Sequence, residues 1–558
     1  MGDAFRITAR PDSSLAEGGK NGLLYARDLL DDLTLKHGGI PCAEYSDSPD
    51  LEFRCYHIDL KKGSGGVEDI KRTLKRLRQL RYNAVLIEYE NRIRLQSLPG
   101  AAAADAFTHD EVREIIGCAE KNGIQVIPLL QSFGHLEYLL QLPAYRRYSE
   151  SQTDFSQFCP LNEDAFILWK KAFDEMLSLH PESQYFHIGG DETRQLGKCP
   201  VCAEFVKDHS REELFFNHIN RVCQYAVDHG VRPILWHDML ARAGRFDLLA
   251  RLPKETVLLY WEYNSRDECL GRVVFKGRVL VSRRWIGKIH SFRDFIEAPK
   301  LFSGFIEDEP EELPEAFRKP AVLPLLEPMR KTGLTVLGAS SLGYSPCGTL
   351  LSDTDRFDSN MRMWRESGVC GMVITRWASN NSLDVAHGPA SLRDFPLSMA
   401  AELMWNGTLN RDQLADRYSR SFSTGTEHLA GLLDIMVYSE NEQFFNWAEH
   451  VVPELAAMET RIDARLLWLF RKYMAAMDAE LLIRQIRSLM RNQSGHLTVS
   501  EFGKMLIQKI PEIKEKLRIG FEDEYPLDSL EEWLRYLFEP YDSIFAGLKL
   551  MPGNKKQG

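Results

Sequence analysis

"FRCYHIDLKKGSGGVEDIKRTLKRLRQLRYNAVLIEYE" spans Phe53–Glu90. It opens on an apolar run, passes through glycines, continues as an amphipathic helix and closes on a second apolar run. A short segment that is apolar throughout fits a strand covered on both faces. Two such strands around a helix make a parallel strand–helix–strand unit. How often that unit recurs decides the fold.

It recurs to the end of the chain's middle third. "THDEVREIIGCAEKNG" is a helix with Thr108 as N-cap and Glu111 completing a capping box. "IQVIPLLQSFGH", "YFHIGGDE", "RPILWHDM", "TVLLYWEY", "LTVLGASS" and "GVCGMVITRW" read as further strands, with helices such as "NEDAFILWKKAFDEMLSLHP" and "REELFFNHINRVCQYAVDHG" between them. Eight strands result, around 54–60, 83–89, 125–131, 185–191, 233–238, 257–261, 335–341 and 369–377. Eight such units close a (β/α)8 TIM barrel. The competing open doubly wound sheet calls for a glycine-rich phosphate loop after its first strand, and "KKGSGG" at 61–66 is a poor match to GxGxxG. The expected fold is therefore α/β, a TIM barrel over 51–405. Residues 1–50 read as a fragment of one strand, "FRITA", and one helix, "NGLLYARDLLDDLTLKHGG", packed on the barrel. Residues 406–558 read as a C-terminal α-helical domain, because strand signals vanish after Asn406.

Composition narrows the function. The 558 residues are 44% hydrophobic and 27% charged, which is ordinary for a globular protein, and the net charge is −11. No basic patch suggests nucleic acid. The N-terminus lacks a charged n-region with an apolar h-region, and no apolar run reaches membrane-spanning length. The ten cysteines are therefore expected as reduced thiols, and the setting as cytoplasmic, with no membrane partner.

In a TIM barrel the chemistry sits at the C-terminal ends of the strands. Those positions offer Glu88 and Glu90, His135 and Glu137, Asp191 and Glu192, Trp236, His237 and Asp238, Trp261, Tyr344 and Trp377. Aromatic faces stack on pyranose C–H surfaces while carboxylates bind hydroxyls and move protons, so this mixture suits a sugar. Asp191–Glu192 has a plain alternative as a helix N-cap. The preceding Gly189–Gly190 argues against it, since a bend there turns both carboxylates toward one ligand. Cys199 and Cys202 form a CxxC with no second pair at zinc spacing, so free or structural thiols are the simpler reading and no metal is expected.

"HIGGDE" resembles the H-x-G-G-D-E signature of glycoside hydrolase family 20. "DSPDLEFRCYHIDL" is similar to the family's first strand and "VIPLLQSFGHLEYLL" to its third, and the likeness covers roughly residues 20–400. The resemblance implies an exo-acting β-N-acetylhexosaminidase that needs no cofactor and uses the substrate's 2-acetamido group as nucleophile. It implies that Asp191 polarises that group and that Glu192 is a buried general acid/base. By the same resemblance Arg54 and Glu90 would hold sugar hydroxyls and His135 would line the site. Trp236, Trp261 and Trp377 would wall it, and Tyr344 would reach the acetamido carbonyl. The partner implied is a carbohydrate with a terminal β-linked N-acetylhexosamine, and a homodimer is a possible assembly. Two rivals stand beside this reading: a sugar-binding protein without turnover, and a metal-dependent barrel hydrolase using His135, His237 and the rim carboxylates.

Overall fold

The structure, a computed structural model, describes residues 2–61, 65–263, 272–275, 279–282, 323–342, 354–377, 391–410, 413–414, 459, 467–492, 508–524, 530–535, 537–539 and 541. Eight parallel strands close into a barrel in chain order: β1 Phe53–Asp59, β2 Ala84–Glu88, β3 Gln125–Leu129, β4 Tyr185–His187, β5 Arg232–Trp236, β6 Val257–Trp261, β7 Thr335–Ser341 and β8 Gly371–Thr375. Strand β8 returns to β1, with Met372 opposite Arg54 and Ile374 opposite Tyr56.

Alternation explains why these strands are apolar throughout. Cys55, Leu86, Ile127, Leu129, Ile234, Leu259, Leu337 and Val373 fill the barrel interior. Their chain neighbours Tyr56, Val85, Ile87, Val126, Leu258 and Met372 face the surrounding helices. The helices follow the expected grammar. In His109–Lys121, Thr108 accepts from the Glu111 N–H while Glu111 accepts from the Thr108 N–H.

The N-terminal segment departs from the expected single strand and helix. Phe5–Arg10 is the middle strand of a three-stranded antiparallel sheet, flanked by Ser13–Gly18 and Glu44–Asp47, with helix Lys20–His37 beside it. The flanking strands carry no apolar alternation; Ser13–Gly18 is almost wholly exposed, and its pairing rests on backbone bonds from the Arg10–Ser13 hairpin. Phe5, Ile7, Tyr25 and Ala26 pack with Trp405 of helix Ser391–Asn406. Asp3, Asp28 and Asp47 pair with Arg54, Arg78 and Arg81, which fastens this layer to the N-terminal end of the barrel. Beyond Thr375 the described residues contain helices and no strand, the longest being Leu467–Asn492 packed on Ile510–Phe521.

Candidate active site

Strand β4 ends at His187, four residues earlier than the sequence pattern suggests, because the chain turns out of the sheet. Gly189 and Gly190 have φ of 70° and 89°, the left-handed region that glycine tolerates. A Cβ on Gly189 would lie 1.8 Å from Gln131 Oε1, and one on Gly190 2.6 Å from Leu235 Cδ1. Space and dihedral both demand glycine. Glu192 follows at φ 46°, and its N–H donates to Asp238 Oδ2 at 3.1 Å. No helix starts here; the next begins at Pro200, so Asp191 is not a helix cap.

The turn separates the two carboxylates by environment. Asp191 is buried at the barrel mouth, with Oδ2 3.3 Å from His135 Nε2 and Oδ1 buried without a hydrogen-bond partner. Glu192 stands exposed on the rim, where Oε1 accepts from Arg194 at 2.8 Å and Oε2 lies 3.7 Å from His135. The expectation of a buried Glu192 is thus corrected: the glycine turn directs Asp191 inward and Glu192 outward. His135, at φ 52°, is pushed up to about 10, chiefly by the charge of Asp191. Burial, and then Asp191, pushes Asp238 up to about 7. Like charges crowd this rim, and His135 and the backbone distribute them.

A second acidic group gathers on Lys61. Its ammonium lies 3.1 Å from Asp59, 3.4 Å from Glu88 and 3.2 Å from Glu90. Glu88 also meets His57 Nε2 at 3.2 Å and accepts from Gln131 at 3.3 Å. Burial opposes ionisation of Glu88, yet Lys61 and His57 hold it below the usual carboxylate range. Burial wins at Glu90, which is pushed up to about 7 against the pull of Lys61.

The tryptophans meet, though not all as walls. Trp236 is 1% exposed and closes the floor, its ring 4.7 Å from His187 and 5.6 Å from Trp377. It supports the pocket rather than offering a stacking face, which corrects its expected role; its place on the last residue of β5 turns it into the barrel's top layer. Trp377 donates to the Tyr263 hydroxyl at 3.1 Å, and Tyr263 stacks on Trp261 at 5.5 Å. The Arg242 guanidinium covers the outer face of Trp261 at 4.0 Å. Tyr344 lies outside the described residues.

Arg54 is the clearest correction. It is the second residue of β1, so it belongs to the N-terminal end of the barrel, opposite the mouth. Its guanidinium is buried and spent on the carbonyls of Leu51, Glu52 and Arg81 and on Asp3. A cation that does stand at the mouth is Lys61, two residues past the end of β1. The Asp59–Lys61 charge pair at a strand end could have flagged it, as Tyr263, two residues after Trp261, could have been flagged as a rim tyrosine.

The histidines expected by a metal-dependent reading, His135 and His237, join no ligand cluster among the described residues: His135 lies 3.3 Å from Asp191, and His237 packs 4.4 Å from Tyr260, pushed down to about 3 by burial. Among the described residues, ligand atoms converge at one place only, formed by Glu150, Cys159, Cys199 and Cys202.

Fold and mouth together define a (β/α)8 barrel with an acidic, aromatic-lined opening, the type of site that holds a sugar. Residues 52–284 match the family described as "Glycosyl hydrolase family 20, catalytic domain". They carry the signature to which "HIGGDE" pointed. The chain is 28% identical over 227 residues to hexosaminidase D of Bos taurus, covering 40% of this chain and 66% of that one. It is 29% identical over 235 residues to hexosaminidase D of Homo sapiens, covering 41% and 48%. The matched region thus spans about half to two-thirds of the length of those relatives. Among solved structures, a Flavobacterium johnsoniae chitobiase aligns with a TM-score of 0.55 at 16% identity, covering 98% of this chain and 80% of that one. A β-N-acetylhexosaminidase from Bacteroides fragilis aligns at 0.53 and 19%, covering 79% and 83%. Both likenesses concern the fold.

Proposed function

We propose that this chain is an exo-acting β-N-acetylhexosaminidase that removes terminal β-linked GlcNAc or GalNAc with retention. The observation that carries the reading is Asp191: a buried carboxylate at the barrel mouth with one oxygen held by His135 and the other without a partner. Such an oxygen is costly to bury unless a donor arrives, and an acetamido N–H is such a donor.

The steps follow from the positions. Glu192, on the rim, gives a proton to the glycosidic oxygen as the C1–oxygen bond breaks. The acetamido carbonyl oxygen bonds to C1 from the opposite side, giving an oxazolinium ion. Asp191 accepts from the acetamido N–H, aligns the carbonyl for an intramolecular attack and balances the positive charge. Water then attacks C1, Glu192 takes its proton, and the carbonyl oxygen departs. The retained configuration comes from two inversions. Glu90 and Lys61 sit where sugar hydroxyls would bind, and Trp377 and Trp261 supply apolar wall. A cytoplasmic setting belongs to the same proposal; it is supported by the free thiols of the eight described cysteines. A homodimeric assembly belongs to the same proposal, and light scattering tests it.

Release of nitrophenol from 4-nitrophenyl β-GlcNAc and β-GalNAc tests the reading. Turnover of either supports it. Saturable binding of GlcNAc without release supports a sugar-binding protein instead.

A further inference from the structure

Outside the proposed site, two loops meet in a buried cluster of soft ligands. Cys159 Sγ lies 3.5 Å from Cys199 Sγ and 3.5 Å from Cys202 Sγ. One carboxylate oxygen of Glu150 completes the set, and the four atoms all lie within 4.8 Å of one another. We propose that Glu150, Cys159, Cys199 and Cys202 bind one zinc-class divalent cation, which clamps the loop carrying Asp191 and Glu192 to its neighbour.

Geometry favours a metal over a disulfide. A disulfide needs sulfurs about 2.05 Å apart. A tetrahedral zinc with Zn–S near 2.3 Å spaces its sulfurs about 3.8 Å apart, close to the observed separations. Cys199 is the N-cap of helix Pro200–Asp208, and its Sγ accepts from the Cys202 N–H at 3.3 Å. A thiol at a helix N-terminus has its thiolate stabilised by the backbone N–H groups it faces.

Glu150 supplies the second, independent sign. It is 1% exposed. Its Oε1 is fixed by the N–H groups of Lys198 at 2.7 Å and Cys199 at 3.1 Å, while Oε2 is buried with no hydrogen-bond partner. One oxygen is oriented by the backbone and the other left for a ligand, the usual arrangement for a ligating carboxylate. On binding the cation the three thiols lose their protons to solvent, and three thiolates and a carboxylate close around the ion.

The position gives the clamp its purpose. Cys199 lies seven residues after Glu192 on one loop, and Glu150 and Cys159 bracket the other. Between them, the Gln195 N–H donates to Gln157 at 3.0 Å and the Gln195 side chain to Asp154 at 2.6 Å. The cation would lock the far end of this seam.

Zinc analysis of the full chain tests the proposal without reference to activity. Protein purified without chelator, or stripped and reloaded with zinc sulfate, should hold about one equivalent of zinc. Cobalt chloride added to the stripped chain should give the visible bands and sulfur charge transfer of a tetrahedral thiolate site. Cys202→Ser and Glu150→Gln should weaken zinc retention in competition with a chromogenic chelator, whereas Cys42→Ser, at an exposed site, should not. Should Cys202→Ser fail to fold, the cobalt spectrum of the unaltered chain still decides. A cobalt-treated chain without thiolate bands, or a disulfide between any two of the three cysteines in the freshly purified protein, overturns the proposal.

Discussion

Replacing Gly189 by alanine tests whether the turn after β4 is what presents Asp191. The residue has φ 70°, and the new methyl would lie 1.8 Å from Gln131 Oε1, so Gln131 must move. Holding a non-glycine residue in the left-handed region costs about 1–2 kcal/mol. Moving Gln131 also removes its bond to the buried Glu88, and a hydrogen bond to a charged group contributes about 1.5–3 kcal/mol. Together the loss is about 2.5–5 kcal/mol, read as a lower midpoint in urea unfolding followed by tryptophan fluorescence. Because Trp236 and His187 lie under the same turn, hydrolysis should fall as well. The double variant Gly189→Ala/Gln131→Ala isolates the clash: it should cost less than the sum of the two single changes, since the methyl now has space. A Gly189→Ala chain with an unchanged unfolding midpoint, or strict additivity in the double variant, would refute the steric argument.

Three further outcomes are expected. Glu192→Gln should leave the fold intact and slow hydrolysis of an unactivated disaccharide about 10²–10⁴-fold, the usual worth of general acid–base catalysis; steady-state kinetics at matched folded concentration reads it. Arg54→Ala should lower the unfolding midpoint while the KM of the folded enzyme is unchanged, because Arg54 ties β1 to the N-terminal layer and is remote from the mouth; a large rise in KM would restore its assignment to sugar binding. The ion pair of His135 with Asp191 should stabilise the protein in a pH-dependent way. The folded His135 is raised to about 10, above the roughly 6.5 of an unfolded histidine, so its contribution is full below about pH 6.5 and fades as pH rises toward 10. Unfolding midpoints of the parent and His135→Gln should therefore differ most near pH 6 and converge toward pH 10.

The barrel was legible because each strand is apolar on both faces. Val85 and Leu86, or Leu258 and Leu259, differ only in whether they face helices or the barrel interior, and that two-sided burial leaves a continuous signal. Asp191–Glu192 was legible because the adjacent glycines are unusual at a strand end. Arg54 was misplaced because charge in a strand says nothing of which end it occupies; its distance along β1 decides between floor and mouth. The N-terminal sheet was missed because Ser13–Gly18 is polar and pairs through its backbone alone. Cys159 and Glu150 stand about forty and fifty residues before the CxxC, so only the closed barrel brings their loops together. The split between a buried Asp191 and an exposed Glu192 depends on dihedrals at Gly189, Gly190 and Glu192 that no side-chain pattern records.

The central claim is that the substrate's acetamido group, aligned by Asp191, is the nucleophile. Comparing kcat/KM for 4-nitrophenyl β-GlcNAc and 4-nitrophenyl β-glucoside tests it most directly, since the two differ only in that group. The account predicts that the glucoside is hydrolysed slower by orders of magnitude, because it cannot supply an intramolecular attack. Equal rates on the two sugars, with a glycosyl ester trapped on Asp191 or Glu192, would contradict it.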